Sequence, residues 1–177
     1  MSLPHALMTA LVELPCSGSE LAGRFDRSIG YFWHATHQQI YRELGRLEEA
    51  GWVESLPPEH GRGRKKVYRM LPAGRAELLR WVGEPQDPKP LRDEFMVRLR
   101  AEAVVGPTGL VDDIQRRLEM HRQKLALYNA IELHDFSDDM DRKAQLQHLV
   151  LRAGILHEQQ WIDFSEQALA ILSKVQG

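Results

Sequence analysis

The feature that most constrains this chain is the segment WVESLPPEHGRGRKKVYRML, Trp52 to Leu71, which follows directly on three short helix-like segments. Two runs, Trp52 to Leu56 and Lys65 to Leu71, have strand character and flank a turn rich in Gly and Pro, the pattern of a β-hairpin. Its tip concentrates positive charge: Arg62, Arg64, Lys65, Lys66 and Arg69 fall within ten residues, with no acidic residue between Arg62 and Arg69. Gly61 and Gly63 permit a tight, exposed turn there. A hairpin charged only for solubility would mix signs, as the rest of the chain does.

The three segments before it carry their own start and stop signals. Leu3, Leu7, Leu11 and Leu14 recur at helical spacing between Pro4 and Pro15 and predict a first short helix. Ser17 and Glu20 form a capping-box pattern for a second, marked by Leu21, Phe25 and Ile29 and ended by Gly30. Thr36 caps a third, in which Ile40, Leu44 and Leu47 share one face and Gly51 closes the helix. Three short helices and a hairpin are the pieces of a winged helix-turn-helix. A fourth helix, about Ala73 to Val82, presents Ala76, Leu79 and Val82 as its apolar side.

The stretch GEPQDPKP then interrupts with three prolines and marks a boundary, giving a winged-helix domain over residues 1–84 and a helical domain over 91–177. After it the spacing predicts helices from Leu91 to Val104, Thr108 to His134 and Asp139 to Lys174. The last would span roughly 50 Å, and its apolar stripe includes Leu149, Leu156, Trp161, Phe164 and Ile171. Two such helices folded only on each other would leave that stripe wet, so a second copy of the chain is expected to cover it in a homodimer.

A net charge of −2 over 177 residues means that any nucleic-acid surface must come from local clustering. The distribution favours the front: residues to Gly83 carry 11 Lys+Arg against 9 Asp+Glu, and the remainder 12 against 16. The single cysteine, Cys16, excludes an internal disulfide and a Cys-based zinc site and suits a reducing cytoplasm. The start, MSLPHALMTALVELP, does not read as a signal peptide, and no apolar run is long enough for a membrane span, so no membrane partner is expected.

On the third helix, Gln38, Tyr41, Arg42, Gly45 and Glu49 project opposite the apolar face. Gln can read adenine, Arg guanine or phosphate, and a Tyr hydroxyl can donate to phosphate. The basic tip can enter a minor groove or lie along phosphates. His34 and His37 lack the further ligands that zinc needs, and SDDMD, Ser137 to Asp141, lacks the calcium-loop pattern and answers a helix dipole instead. Tyr31, Phe32 and Trp33 read as an apolar plug that sets the angle of the next helix. No nucleophile, base and acid can be assembled, so the chain reads as no enzyme, without cofactor or metal.

Together, GYFWHATHQQIYREL, RLEEAGWV, RKKVYRMLPAGRAELLRW and RDEF resemble the PadR family of bacterial transcription regulators. Within it, MSLPHALMTAL, SIGYFW, HQQIYREL and AGR with a Trp six residues on are similar to the AphA-type virulence activators. One departure is Ser19 in SGSEL, where many members carry a tyrosine. The resemblance implies a mostly α fold: an N-terminal winged helix-turn-helix with a two-stranded wing, and a C-terminal long-helix, antiparallel coiled-coil-like dimerisation domain. It implies contact with double-stranded DNA through Gln38, Gln39, Tyr41 and Arg42 and through a wing carrying Arg62, Arg64, Lys65 and Lys66. A homodimer would then read an inverted-repeat operator, third helix in the major groove. A small aromatic effector is a candidate partner, with Trp33, Trp81 and Trp161 as cavity-lining candidates. The rival reading is a protein–protein adaptor built on a winged helix and long apolar helices.

Overall fold

The structure is a computed structural model and describes residues 3–27, 35–56, 66–88, 90 and 92–176. It divides into two compact units, Met1–Pro88 and Lys89–Gly177. In the first, α1 (Leu3–Glu13), β1 (Cys16–Ser17), α2 (Gly18–Arg27), α3 (His37–Glu49), β2 (Val53–Leu56), β3 (Val67–Met70) and α4 (Pro72–Gly83) follow in order. Leu7, Met8 and Leu11 of α1, Leu21 and Phe25 of α2 and Ile40, Leu44 and Leu47 of α3 bury together with Val53. These are the apolar positions set by the helical spacing, and their removal from water is the main favourable term in assembling three short helices. Leu14 departs from that expectation and is exposed, because it precedes Pro15, which disfavours helical backbone, and α1 has already ended at Glu13.

The sheet is antiparallel in the order β1-β3-β2. Its third strand, with Cys16 opposite Tyr68 and Ser17 opposite Val67, adds to the two strands expected of the wing. Two residues are too few for an alternating pattern to announce a strand. The same Ser17 also starts α2: its N–H donates to Glu20 Oε2 at 2.8 Å, and Glu20 N–H returns to its hydroxyl at 3.3 Å.

At the far end of α3, Gly51 takes a φ of 69°, where its N–H bonds Glu48 and the Trp52 N–H bonds Leu47 O at 3.0 Å. This is the left-handed stop that glycine adopts without penalty. The Trp52 carbonyl then accepts from Leu71 N–H at 2.9 Å, and a Cβ on Gly74 of α4 would collide with that oxygen. The start of α4 can therefore approach the hairpin base only because residue 74 has no side chain.

The side that α4 buries differs from the expected Ala76, Leu79 and Val82. Leu79 and Val82 are 68% and 70% exposed, and α4 instead turns Gly74, Leu78 and Trp81 inward. Trp81 stacks on His5 of α1 at 4.3 Å between ring centroids, and His5 Nε2 lies 3.2 Å from Glu77 Oε1. The helix is thus oriented by a ring stack and a polar contact, which apolar periodicity does not register.

The second unit contains α5 (Glu94–Val105), α6 (Leu110–Asp135) and α7 (Arg142–Leu172), continued by a 3₁₀ turn, Ser173–Gln176. Asp141 caps α7 through a 2.7 Å bond to Ala144 N–H. Contacts of Tyr128 with Gly154, His121 with Glu158 and Glu132 with His148 make α6 and α7 an antiparallel pair. Phe95, Leu110, Ile114 and Ala168 form its core, with Trp161 and Phe164 packed against them. Asp113 fastens α5 to α6, receiving Arg98 at 2.8 Å, Arg116 at 2.5 Å and Arg117 at 3.2 Å. No helix among the described residues is long and apolar enough to cross a membrane.

Two outcomes are expected. Gly74→Ala should lower stability by about 1–3 kcal/mol in urea titration, because a backbone carbonyl cannot yield as a side chain can. Hydrogen bonds from Arg80 and then His5 hold Glu77 at about 2, and Arg116 with Arg117 and Arg98 holds Asp113 at about 2. Both folded values lie below the ordinary 4.5 and 3.8, so their stabilisation is complete above that range and fades as pH falls toward 2. Melting temperatures followed from pH 5 to 2 should drop more steeply for the natural chain than for one carrying Glu77→Gln and Asp113→Asn.

Candidate functional site

An exposed polar face built on a rigid element of the first unit is that of α3. Its N-terminus is closed by a complete capping box: Gln39 N–H donates to Thr36 Oγ1 at 3.2 Å, and Thr36 N–H donates to Gln39 Oε1 at 2.8 Å. Ile40, Leu44 and Leu47 anchor the inner face, leaving Gln38, Gln39, Tyr41 and Arg42 exposed. The helix is thus pinned both by its cap and by its core, and the outward side chains start from a fixed backbone.

Those four side chains are not equivalent. Gln39 has its carbonyl oxygen committed to the cap, so its amide NH₂ is what remains to offer a ligand. The ring of Tyr41 lies against Gly18 at the start of α2, where a Cβ would collide with it. Arg42 forms no ion pair among the described residues, whereas Arg46, one turn on, is paired with Glu43 at 3.2 Å. Gln38 and Arg42 sit four residues apart and so share one stripe.

Of the basic hairpin, Lys66 is described, and it is exposed immediately before β3. Arg62, Arg64 and Lys65 lie outside the described residues, as do Tyr31, Phe32, Trp33 and His34. Arg69 belongs to the same basic run but is not free: strand register sets it opposite Glu54, whose carboxylate takes its Nε at 2.7 Å. A count of consecutive charges misses this, because the partner comes from the other strand.

Cys16 is buried, and burial pushes its thiol up, outweighing the opposing Arg24 hydrogen bond and charge. It behaves as a small apolar residue rather than a nucleophile. Among the described residues no group of three or more His, Cys, Asp or Glu is placed to hold a metal ion. Trp81 and Trp161 are each committed to packing within their own unit, the first on His5 and the second beside Phe95 and His121.

The expected apolar stripe of α7 divides. Trp161 and Phe164 pack inward in T-shaped contacts with Phe95, at 6.1 and 6.4 Å between centroids. Leu149, Leu156 and Ile171 are 65%, 62% and 65% exposed. The face turned toward α6 carries Gly154, Glu158, Ile162, Ser165 and Ala168. Leu149, Leu156 and Ile171 thus lie on the outer side, as expected of residues left uncovered, whereas Trp161 and Phe164 depart from the expected stripe because the aromatic core around Phe95 takes them inward.

Comparison with known proteins adds to this geometry. The family described as "Transcriptional regulator PadR-like family" matches residues 7–80, and that described as "Virulence activator alpha C-term" matches residues 91–173. A probable transcriptional regulator of Mycobacterium tuberculosis, Rv1176c, is 41% identical over 98% of this chain and 99% of its own. The structure of the Vibrio cholerae virulence activator AphA superposes with a TM-score of 0.83 at 33% identity, covering 98% of this chain and 99% of that one. Bacillus subtilis PadR in complex with operator DNA gives 0.82 at 26% identity, over 97% and 98% of the two chains. The same regulator in complex with p-coumaric acid gives 0.75 at 26% identity, over 97% and 95%.

Removing the α3 cap tests the first element of the site. Thr36→Ala should cost about 1 kcal/mol in urea unfolding and release the Gln39 side chain, seen as a shift of its amide NMR signals. An unchanged midpoint would show that the cap does not hold the helix.

Proposed function

The chain belongs to the PadR-like family of transcriptional regulators, and from that premise we propose that it acts as a homodimer on an inverted-repeat operator. Residues 1–84 form the DNA-binding domain and 91–177 the dimerisation domain. The third helix enters the major groove with Gln38, Tyr41 and Arg42 toward base edges and phosphates, Gln39 contributing through its amide NH₂. Arg62, Arg64, Lys65 and Lys66 of the wing meet the flanking minor groove or phosphates.

The observation that carries this reading is the two-sidedness of α3. A capped helix with a fully buried inner face presents an outer face of Gln, Tyr and Arg, and its last turn is bonded to β2, the strand that leads into the basic segment. The complex of Bacillus subtilis PadR with operator DNA supports the choice of partner. Dimerisation through α7 is supported by Leu149, Leu156 and Ile171, large aliphatic side chains exposed along one long helix. Trp161 and Phe164 serve that interface from beneath, by fixing α7 on its own core. A small aromatic effector fits the same reading, on the support of the p-coumaric acid complex of PadR.

Selection of genomic fragments with the purified chain should enrich an inverted repeat whose half-sites lie about 34 Å apart or a multiple of that. On that operator, Arg62→Ala combined with Arg64→Ala should weaken binding and flatten the salt dependence by about 0.9 in log–log slope for each phosphate no longer neutralised. No enriched repeat, or an unchanged slope, would remove the operator or the wing from the proposal respectively.

A further inference from the structure

Glu48, in the last turn of α3, lies two turns on from Tyr41 along one stripe of the helix and reaches the wing strand β2. Its Oε1 accepts from the Ser55 N–H at 3.1 Å and from the Ser55 hydroxyl at 2.5 Å. Ser55 lies on β2, an outer strand of the sheet, and is paired with Tyr68 on β3, two residues beyond Lys66. An outer strand leaves alternate N–H groups without a ladder partner, and Glu48 takes one of them. The Ser55 hydroxyl first, then its N–H and the Lys66 charge, hold the Glu48 carboxyl below its ordinary range against an opposing effect of burial. The same negative charge, after burial, pushes the Tyr68 phenol up.

A carboxylate this close to a surface that attracts phosphate works against binding through its charge. Its geometry offers something in exchange, since it joins the helix to the strand that carries the wing. Resting on the DNA-binding reading above, we infer that Glu48 is a positioning residue: it sets the first wing strand against α3, so that helix and wing meet one duplex in fixed register. It touches no base or phosphate itself. The bond needs an acceptor at this position rather than a charge, which separates two substitutions: Glu48→Gln keeps an oxygen for Ser55, and Glu48→Ala keeps nothing.

The test uses the full chain, its selected operator and a scrambled duplex, titrated over a range of salt, with amide hydrogen exchange and melting of the DNA-free proteins. Glu48→Ala should speed exchange at Ser55 while the α1 and α2 amides stay protected. It should also weaken operator binding about tenfold and reduce the log–log salt slope by about 0.9, the equivalent of one phosphate. Glu48→Gln should keep both the protection and the operator affinity. If both variants bind operator more tightly than the natural chain with an unchanged slope, Glu48 matters only as a charge and the inference is overturned. Loss of affinity that merely tracks reduced melting stability, at constant slope, overturns it equally. Should Glu48→Ala not fold, Ser55→Ala removes one of the two bonds and is judged by the same slope and exchange. A natural chain without operator affinity would sink the functional reading itself, and is recognised before any substitution is made.

Discussion

The backbone of Trp52 is the point on which the first unit depends. Its N–H closes the left-handed stop of α3 on Leu47 O, and its carbonyl receives Leu71 where the hairpin returns. The first turn of α4 presses against that same carbonyl through Gly74. Three elements that must hold fixed angles for a helix and a wing to act together are thus tied at one residue. Each bond is of ordinary strength, about 1 kcal/mol net, but all are made by backbone. The angles are therefore set by local geometry that side-chain substitutions elsewhere do not easily change.

Much of this unit was legible in the sequence because its signals are local. Thr36, Gly51 and the Ser17–Glu20 pair act within a few residues of where they stand, and the spacing of Leu7, Leu11, Ile40, Leu44 and Leu47 reports directly which faces are buried. What was not legible depends on residues far apart in sequence. The strand β1 exists through its pairing with Tyr68, Arg69 loses its freedom to Glu54, and α4 is oriented by His5 and Trp81 rather than by Leu79 and Val82. Of the candidate contact residues, Gln38, Tyr41 and Arg42 follow from helix periodicity. The engagement of Gln39 in the cap follows only from recognising it as the third residue of a capping box.

The second unit buries one apolar set and leaves another exposed. The inner seam of α6 and α7 holds Gly154, whose missing side chain admits the ring of Tyr128, and a buried Glu158 2.5 Å from His121 Nδ1. Leu149, Leu156 and Ile171 point outward, beyond the core of Phe95, Leu110, Ile114 and Ala168 that holds the unit together, and so leave an apolar side to a further surface. In the proposed homodimer a second copy of the chain would provide that surface at no cost in new sequence, and would convert one reading helix into two related by a two-fold axis. The second unit would thereby set the spacing and the first the base contacts.

Hydroxyl-radical footprinting of the natural chain on its selected operator tests this division of labour most directly. The predicted result is two protected patches related by a two-fold axis, centred about 34 Å or a multiple of that apart, each flanked by weaker protection from the wing. A single patch, or protection with no two-fold relation to the sequence, would contradict it.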